Sequence, residues 1–349
     1  MRTTAVWWTT GSADSNDNTA LPKSGDHSVG VARQYCGALG KLANCQSLVT
    51  LTLADGRVLV PLAMRLFLPR VWTDDPQRCQ AAGVPSARLA FCSKGQLALE
   101  EVDRVRALGV SFRIVLADAG YGTSKDFRQA LSQRGLRWAV GIEGHQNAYS
   151  VQVQCTPPQQ VTRGRPQKYA VPSEPPRPVK DVLGEQPRNG WWRVKGGRLS
   201  RWMFARVRIA DGVGNAWGIH LPGEAVWVVG EWRPNGQVKY YATNHPVGTS
   251  KTRIVKDLKA RWQCETMHTQ AKEELGLDHF EGRSYRGLIH HVALVMLAMV
   301  FLQTLRQGMT NEPSEAGEWT LPQTRRAFTR LLEQRRFWRC PHCGERIAA

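Results

Sequence analysis

The chain has 349 residues, enough to bury a sizeable core in one large domain with an insertion or in two domains. Its 47 Lys and Arg against 29 acids leave a net charge of +18, which points to a polyanionic partner, nucleic acid before an anionic membrane surface. The opening MRTTAVWWTTGSADS lacks the basic-then-apolar layout of a signal peptide, and eight scattered cysteines suit a reducing cytoplasm rather than a disulfide scaffold.

Residues 1–30 are polar and turn-rich, with AVWW (5–8) the one strand signal among them. In QSLVTLTLADGRVLVPLAMRLFLP (46–69), two apolar, β-branched runs flank Asp55-Gly56, which predicts a hairpin. The segment 95–109 spaces Leu97, Leu99, Val102, Val105 and Leu108 near the helical period and ends at Gly109, a C-terminal cap. FRIVLADAGYG (112–122) is a short apolar run that stops in Asp and glycines, as a buried strand does when a functional loop follows it. A polar helix (124–134) and a short strand, WAVGI (138–142), come next. From about 150 to 224 the chain is rich in Pro, Gly and basic residues, with RWMFARVRIA (201–210) as a strand inside it. AVWVVGEWRPNGQVKYYATN (225–244) reads as a hairpin around Pro234-Asn235-Gly236, and helices are expected over 251–275, 284–307 and 322–336. The apolar run VALVMLAMVFL (292–302) is too short to span a bilayer and reads as a buried helix, so no membrane partner is expected. No internal repeats are present.

Taken alone, Asp118 could simply start a turn. On a helix, however, Arg261, Glu265, His268 and Lys272 lie at i, i+4, i+7 and i+11, one continuous stripe, beside an apolar stripe of Val255, Leu258 and Trp262. A solvated charged face is the ordinary reading of such a helix. Against it, Arg and Lys flank a single acid, which suits holding phosphates around a metal ligand. Phosphodiester cleavage needs an activated nucleophile and a stabilised leaving oxygen, and two Mg²⁺ about 4 Å apart supply both. Hard Mg²⁺ takes carboxylates, so acids from distant parts of the chain must converge. Asp118 and Glu265 are two such acids, and a third should come from an early strand.

Three blocks carry a resemblance: LPKSGDHSVGVARQYCGALGKLANCQ (21–46), VLADAGYG (115–122) and ARWQCETMHTQAKEELGLDHFEGRS (260–284). In this order they resemble bacterial insertion-sequence transposases of the DDE class, over nearly all of 17–307. The resemblance implies a ribonuclease-H-like α/β fold with a β-rich insertion before the last catalytic helix. It also implies Mg²⁺, with Mn²⁺ as a substitute, and DNA cleavage and strand transfer at the ends of a mobile element. The partner would be double-stranded DNA, both element ends and target, bound by a homodimer at the bacterial nucleoid in the cytoplasm. By resemblance Asp118 is the second acid and Glu265 the third, with Arg261 and Lys272 the basic residues of an R–E–K signature; Leu258 stands where an aromatic residue is common.

The first acid departs from the pattern. The family runs an apolar strand into Asp-Asp-Thr, whereas this chain has Asp17-Asn18-Thr19. The catalytic acid usually lies directly before Thr, so neutral Asn18 takes that place, and Asp17, its neighbour on a strand, would point to the opposite face. Both are kept as candidate metal ligands. The family also carries a longer helical region ahead of this motif, so the resemblance implies a truncated copy whose activity is impaired. A non-catalytic DNA-binding remnant and a simple ribonuclease-H-like nuclease are the alternatives.

Weaker signals remain. TRGRPQK (162–168) resembles an AT-hook core, with Arg163, Arg165 and Lys168 as DNA contacts, although composition alone produces such a stretch. Trp191, Trp192 and Trp202 could stack on an unpaired base or pack a hairpin core. Cys340 and Cys343 form half of a zinc ribbon, which would need further ligands. Cys36, Cys45 and Cys264 read as small buried residues, Glu265-x-x-His268 as half of a di-iron motif without a second half, and His290 and His291 as helix-surface residues. The expected organisation is an irregular segment (1–16), the first part of the core (17–145), a basic β-rich insertion (146–250), the helical remainder of the core (251–307) and an appendage (308–349).

Overall fold

The Asp55 hairpin forms as its turn chemistry predicts: β4 (Lys41–Ala54) pairs antiparallel with β5 (Leu59–Phe67), and Asp55 closes the turn by accepting from Val58 N–H at 3.0 Å. The computed structural model describes residues 5–8, 20–55, 58–158, 168–187, 190–193, 200–213, 216–309, 319–335, 337–339 and 346–348. Ahead of the hairpin lie β1 (Ala5–Trp8), β2 (Ala20–Pro22) and β3 (Ala32–Cys36). After it come two short helices, α1 (Arg70–Thr73) and α2 (Pro76–Ala81), then α3 (Lys94–Ala107), β6 (Val115–Ala117), α4 (Ala119–Gly122), α5 (Lys125–Gln133) and β7 (Trp138–Ile142). Ser93 and Gln96 form a capping box at the start of α3, and Gly109 follows its end with φ +81°.

The strand pairing defines the architecture. β1 runs antiparallel to β4 and parallel to β6, and β6 runs parallel to β7, so the order β5-β4-β1-β6-β7 mixes an antiparallel meander with two parallel strands. This is the ribonuclease-H-like mixed sheet. The segment that follows begins with β8 (Asn147–Ser150), β9 (Cys155–Thr156), β10 (Val171–Pro172), β11 (Arg177–Pro178), α6 (Val179–Gly184) and β12 (Trp192–Arg193). The long strands β13 (Arg201–Val213) and β14 (Ala216–Trp232) then lead to β15 (Val238–Thr243), which pairs with β7. The β-rich insertion thus continues the core sheet, and among the described residues thirteen strands share it.

Helices cover both faces of the sheet. Along β4, Leu48 joins the core under α7 (Lys251–Ala260), α8 (Trp262–Glu273) and α9 (Tyr285–Met309), whereas Val49 and Leu51 join the core under α3 and α5. Alternation along one strand therefore feeds two separate cores. A last helix, α10 (Leu321–Arg335), packs on α9 through Phe301 and Phe328, and a small hairpin, β16 (Phe337–Arg339) with β17 (Arg346–Ala348), follows. Trp202 is buried and Trp192 is exposed, so the insertion's tryptophans do not share one role.

Two expectations are corrected. The helix expected over 251–275 is two helices that meet at Arg261, where i→i+3 hydrogen bonds (Arg261 N to Leu258 O, 3.3 Å; Cys264 N to Arg261 O, 3.1 Å) replace the α pattern. That change rephases the second helix, so Val255 and Leu258 are buried while Trp262 is 60% exposed. The run read as a buried helix belongs to α9, whose stretch Tyr285–Gly308 (24 residues) is long and apolar enough to cross a bilayer by length and composition alone. Leu288, Val292, Val295, Met299 and Leu302 face the core, whereas Leu294 and Leu297 are exposed, so only one face is buried.

Candidate active site

Asp118 stands where β6 ends. It is buried, caps the four-residue helix α4 and accepts from Tyr121 N–H at 3.2 Å. Two glycines let this turn lie against the neighbouring strand. A Cβ on Gly122 would come within 1.9 Å of the Gly141 carbonyl oxygen, and one on Gly141 within 2.8 Å of Ala119 N. We expect Gly122→Ala to cost about 3 kcal/mol, at the upper end of overpacking effects, because backbone rather than a flexible side chain must move. Urea denaturation of the variant measures it, and a loss below about 0.5 kcal/mol would show that α4 can lift without penalty.

Glu265 lies in the first turn of α8, and Arg261 donates to it at 2.5 Å. The rest of the stripe turns into the protein. His268 and Thr50 share a 2.8 Å hydrogen bond, Cys264 lies 3.8 Å from Thr52 Oγ1, and Lys272 donates to the Ala20 carbonyl at 2.8 Å. The stripe is therefore not a solvated face. Burial lowers the Lys272 pKa, partly offset by the nearby charge of Asp278. The resemblance blocks meet here, since Lys23 also donates to the Phe280 carbonyl and Val29 N–H to the Arg283 carbonyl. Burial and its neighbour Cys36 push the Cys45 thiol up to about 12, which leaves it protonated and unreactive.

A cleft of about 300 Å³ opens beside Asp118. Its lining includes Arg261, Glu143 from the loop after β7, and Gln237 and Lys239 from the β14–β15 hairpin, but not Lys272. Asp118 and Arg261 are thus brought together, with Glu265 held on Arg261, while Lys272 is spent on tying α8 to β2. Asp17, Asn18, Arg163, Arg165, Cys340 and Cys343 lie outside the described residues. Lys168 is exposed, its ammonium 5.6 Å from the Tyr169 ring. Among the described residues no three His, Cys, Asp or Glu side chains converge as a ready metal site. The carboxylates of Asp118 and Glu265 are nevertheless hard oxygen donors of the type Mg²⁺ takes.

A buried network anchors the helix that precedes Glu265. Asp257 on α7 receives both arms of Arg113 (2.8 and 2.6 Å), Nε2 of His245 (3.0 Å) and Nε of Arg253 (3.1 Å). Sequence reading missed this network, as it missed Lys239 and Glu143, because each acquires its surroundings only through long-range pairing.

Residues 14–200, more than half of the chain, match the DDE superfamily endonuclease family. Over 130 residues the chain is 30% identical to a probable transposase for insertion sequence element IS701 from Microchaete diplosiphon. That stretch covers 37% of this chain and 31% of the relative, so the match spans about a third of the relative's length. Among solved structures, the piggyBac transposase synaptic complex with hairpin DNA aligns over 96% of this chain and 54% of its own, at 8% identity and a TM-score of 0.43. With a family match over most of the sheet that carries Asp118, the chain belongs to the DDE superfamily endonucleases.

Proposed function

We propose that the protein is a transposase that cleaves DNA at the ends of an insertion sequence and joins those ends to a target, using Mg²⁺ or, in its place, Mn²⁺. The observation that carries this reading is that Asp118 and Arg261, the partner of Glu265, line one cleft on a chain of net charge +18. Asp118 and Glu265 would hold the metal. When bound, it would supply an activated water or 3′-hydroxyl and a stabilised leaving oxygen. The chain's own residues do the positioning. Tyr121 N–H fixes one Asp118 oxygen, Arg261 fixes Glu265, and the surrounding basic surface attracts the double-stranded DNA. Two copies would act on paired ends at the nucleoid, with Arg163, Arg165 and Lys168 adding phosphate contacts from the insertion.

Asn18 favours a second reading, a DNA-binding protein that does not cut, because a neutral amide leaves a two-metal site short of negative charge. Nicking of supercoiled plasmid by the unmodified chain and by Asn18→Asp, with Mg²⁺, Mn²⁺ or EDTA, separates the two. The expected result is metal-dependent nicking that rises at least tenfold in Asn18→Asp. DNA binding in EDTA with no nicking by either protein would establish the binder.

A further inference from the structure

We propose that Lys239 is a substrate-binding residue that takes a DNA backbone phosphate inside the Asp118 cleft. The assignment rests on the reading of the protein as a DNA-cleaving enzyme and adds to it a residue outside the three resemblance blocks. Lys239 is the second residue of β15, opposite Glu231 on β14, and it lines the cleft together with Asp118 and Arg261. It shares a strand face with Tyr241, whose hydroxyl donates to Glu231 at 3.0 Å, so the lysine projects toward the side on which the helices pack.

The other cations here are committed. Arg261 is bonded to Glu265, Arg233 lies 3.3 Å from Glu231, and Lys272 is bonded to the Ala20 carbonyl. Lys239 differs. Among the described residues its ammonium makes no hydrogen bond and no ion pair. It is half-buried, and burial, Arg233 and Arg261 all reduce its affinity for its proton, with Glu265 and Glu231 opposing. Holding an ammonium near two guanidinium groups is unfavourable for the protein alone, and Glu265 and Glu231 offset this only in part. An anion arriving in the cleft reverses that sign, since it would meet Lys239 and Arg261 together beside the carboxylate of Asp118. Lys239 and Arg261 line the same cleft, and lysine contacts phosphate as a point charge that does not require bidentate geometry.

The test is a fluorescence-anisotropy titration of a labelled 30-base-pair duplex with the full chain in EDTA, repeated across NaCl concentrations. Lys239→Gln should weaken binding about tenfold at 0.1 M NaCl and reduce the slope of log K against log [NaCl] by about 0.9, the contribution of one phosphate contact. Lys239→Arg should keep the wild-type slope, and Lys41→Gln, at the exposed far end of β4, should leave it unchanged. Thermal unfolding of each variant checks that the sheet is intact, and Lys239→Met serves if the glutamine variant unfolds. A wild-type slope in the neutral variants overturns the assignment while leaving the DNA-cleaving reading in place. An equal loss in Lys41→Gln also overturns it, because the effect would then belong to the surface at large. Failure of the unmodified chain to bind the duplex removes the DNA reading itself and the assignment with it.

Discussion

Asp118→Asn is expected to lower metal-dependent nicking by about 10³-fold or more while leaving the fold and DNA affinity in place. The magnitude follows from the several kcal/mol that a bound metal contributes to a phosphoryl transition state, each 1.36 kcal/mol being worth a factor of ten. The substitution is nearly isosteric. An asparagine oxygen can still accept from Tyr121 N–H at the start of α4, so the cap survives and only the charge is lost. The measurement compares initial nicking rates with Mg²⁺ and with Mn²⁺, in the native sequence and in the Asn18→Asp background. Nicking at the parental rate, with unfolding unchanged, would remove Asp118 from the active site.

Asp257→Ala is expected to lower the unfolding free energy by about 3–5 kcal/mol, the range for removing one partner of a buried ion pair. Asp257 is 2% exposed and pairs with Arg113, Arg253 and His245, so its loss takes from these three donors the acceptor they share. The consequence reaches beyond stability. Arg113 lies just ahead of β6, whose other end carries Asp118, and α7 leads directly into Arg261 and α8. One carboxylate therefore holds together the two elements that present the candidate acids. Burial alone would raise its pKa, but hydrogen bonds from His245 and Arg113 more than offset this and hold the carboxyl well below the ordinary range. A depressed carboxyl stabilises the fold fully above its unfolded pKa of about 3.9, and that contribution is lost as pH falls through the folded value. Urea midpoints from pH 7 downward should show the variant already weak at neutrality and less sensitive to acid. A loss under about 1 kcal/mol at pH 7 would show that the network contributes little.

The legible parts of this fold are those with local causes. Asp55 and the Pro234-Asn235-Gly236 turn mark their hairpins because turn geometry selects these residues, and Gly236 does adopt φ +81°. Asp118 was legible as a candidate because an apolar run that stops in Asp and Gly signals a strand end, and Glu265 because its spacing to Arg261 is helical. The change of helical phase at Arg261 left no mark in the periodicity, so Trp262 was placed on the wrong face. Lys272 reads as the second basic residue of the R–E–K stripe, and only the fold shows its ammonium bonded to the Ala20 carbonyl of β2. Lys239 is one basic residue among 47, and what distinguishes it is the pairing of β15 with β7.

That pairing also fixes the order in which the sheet can assemble. The β4–β5 and β14–β15 hairpins join neighbours in sequence and can form early, at little loop-closure cost. β6 must find β1 across the whole β2–α3 region, and β7 must wait for β15 across the insertion. Asp118 sits at the meeting point of these long-range contacts, so the cleft depends on the pairings with the largest loop-closure cost. The β14–β15 hairpin that lines it joins sequence neighbours, so it can form before it pairs with β7.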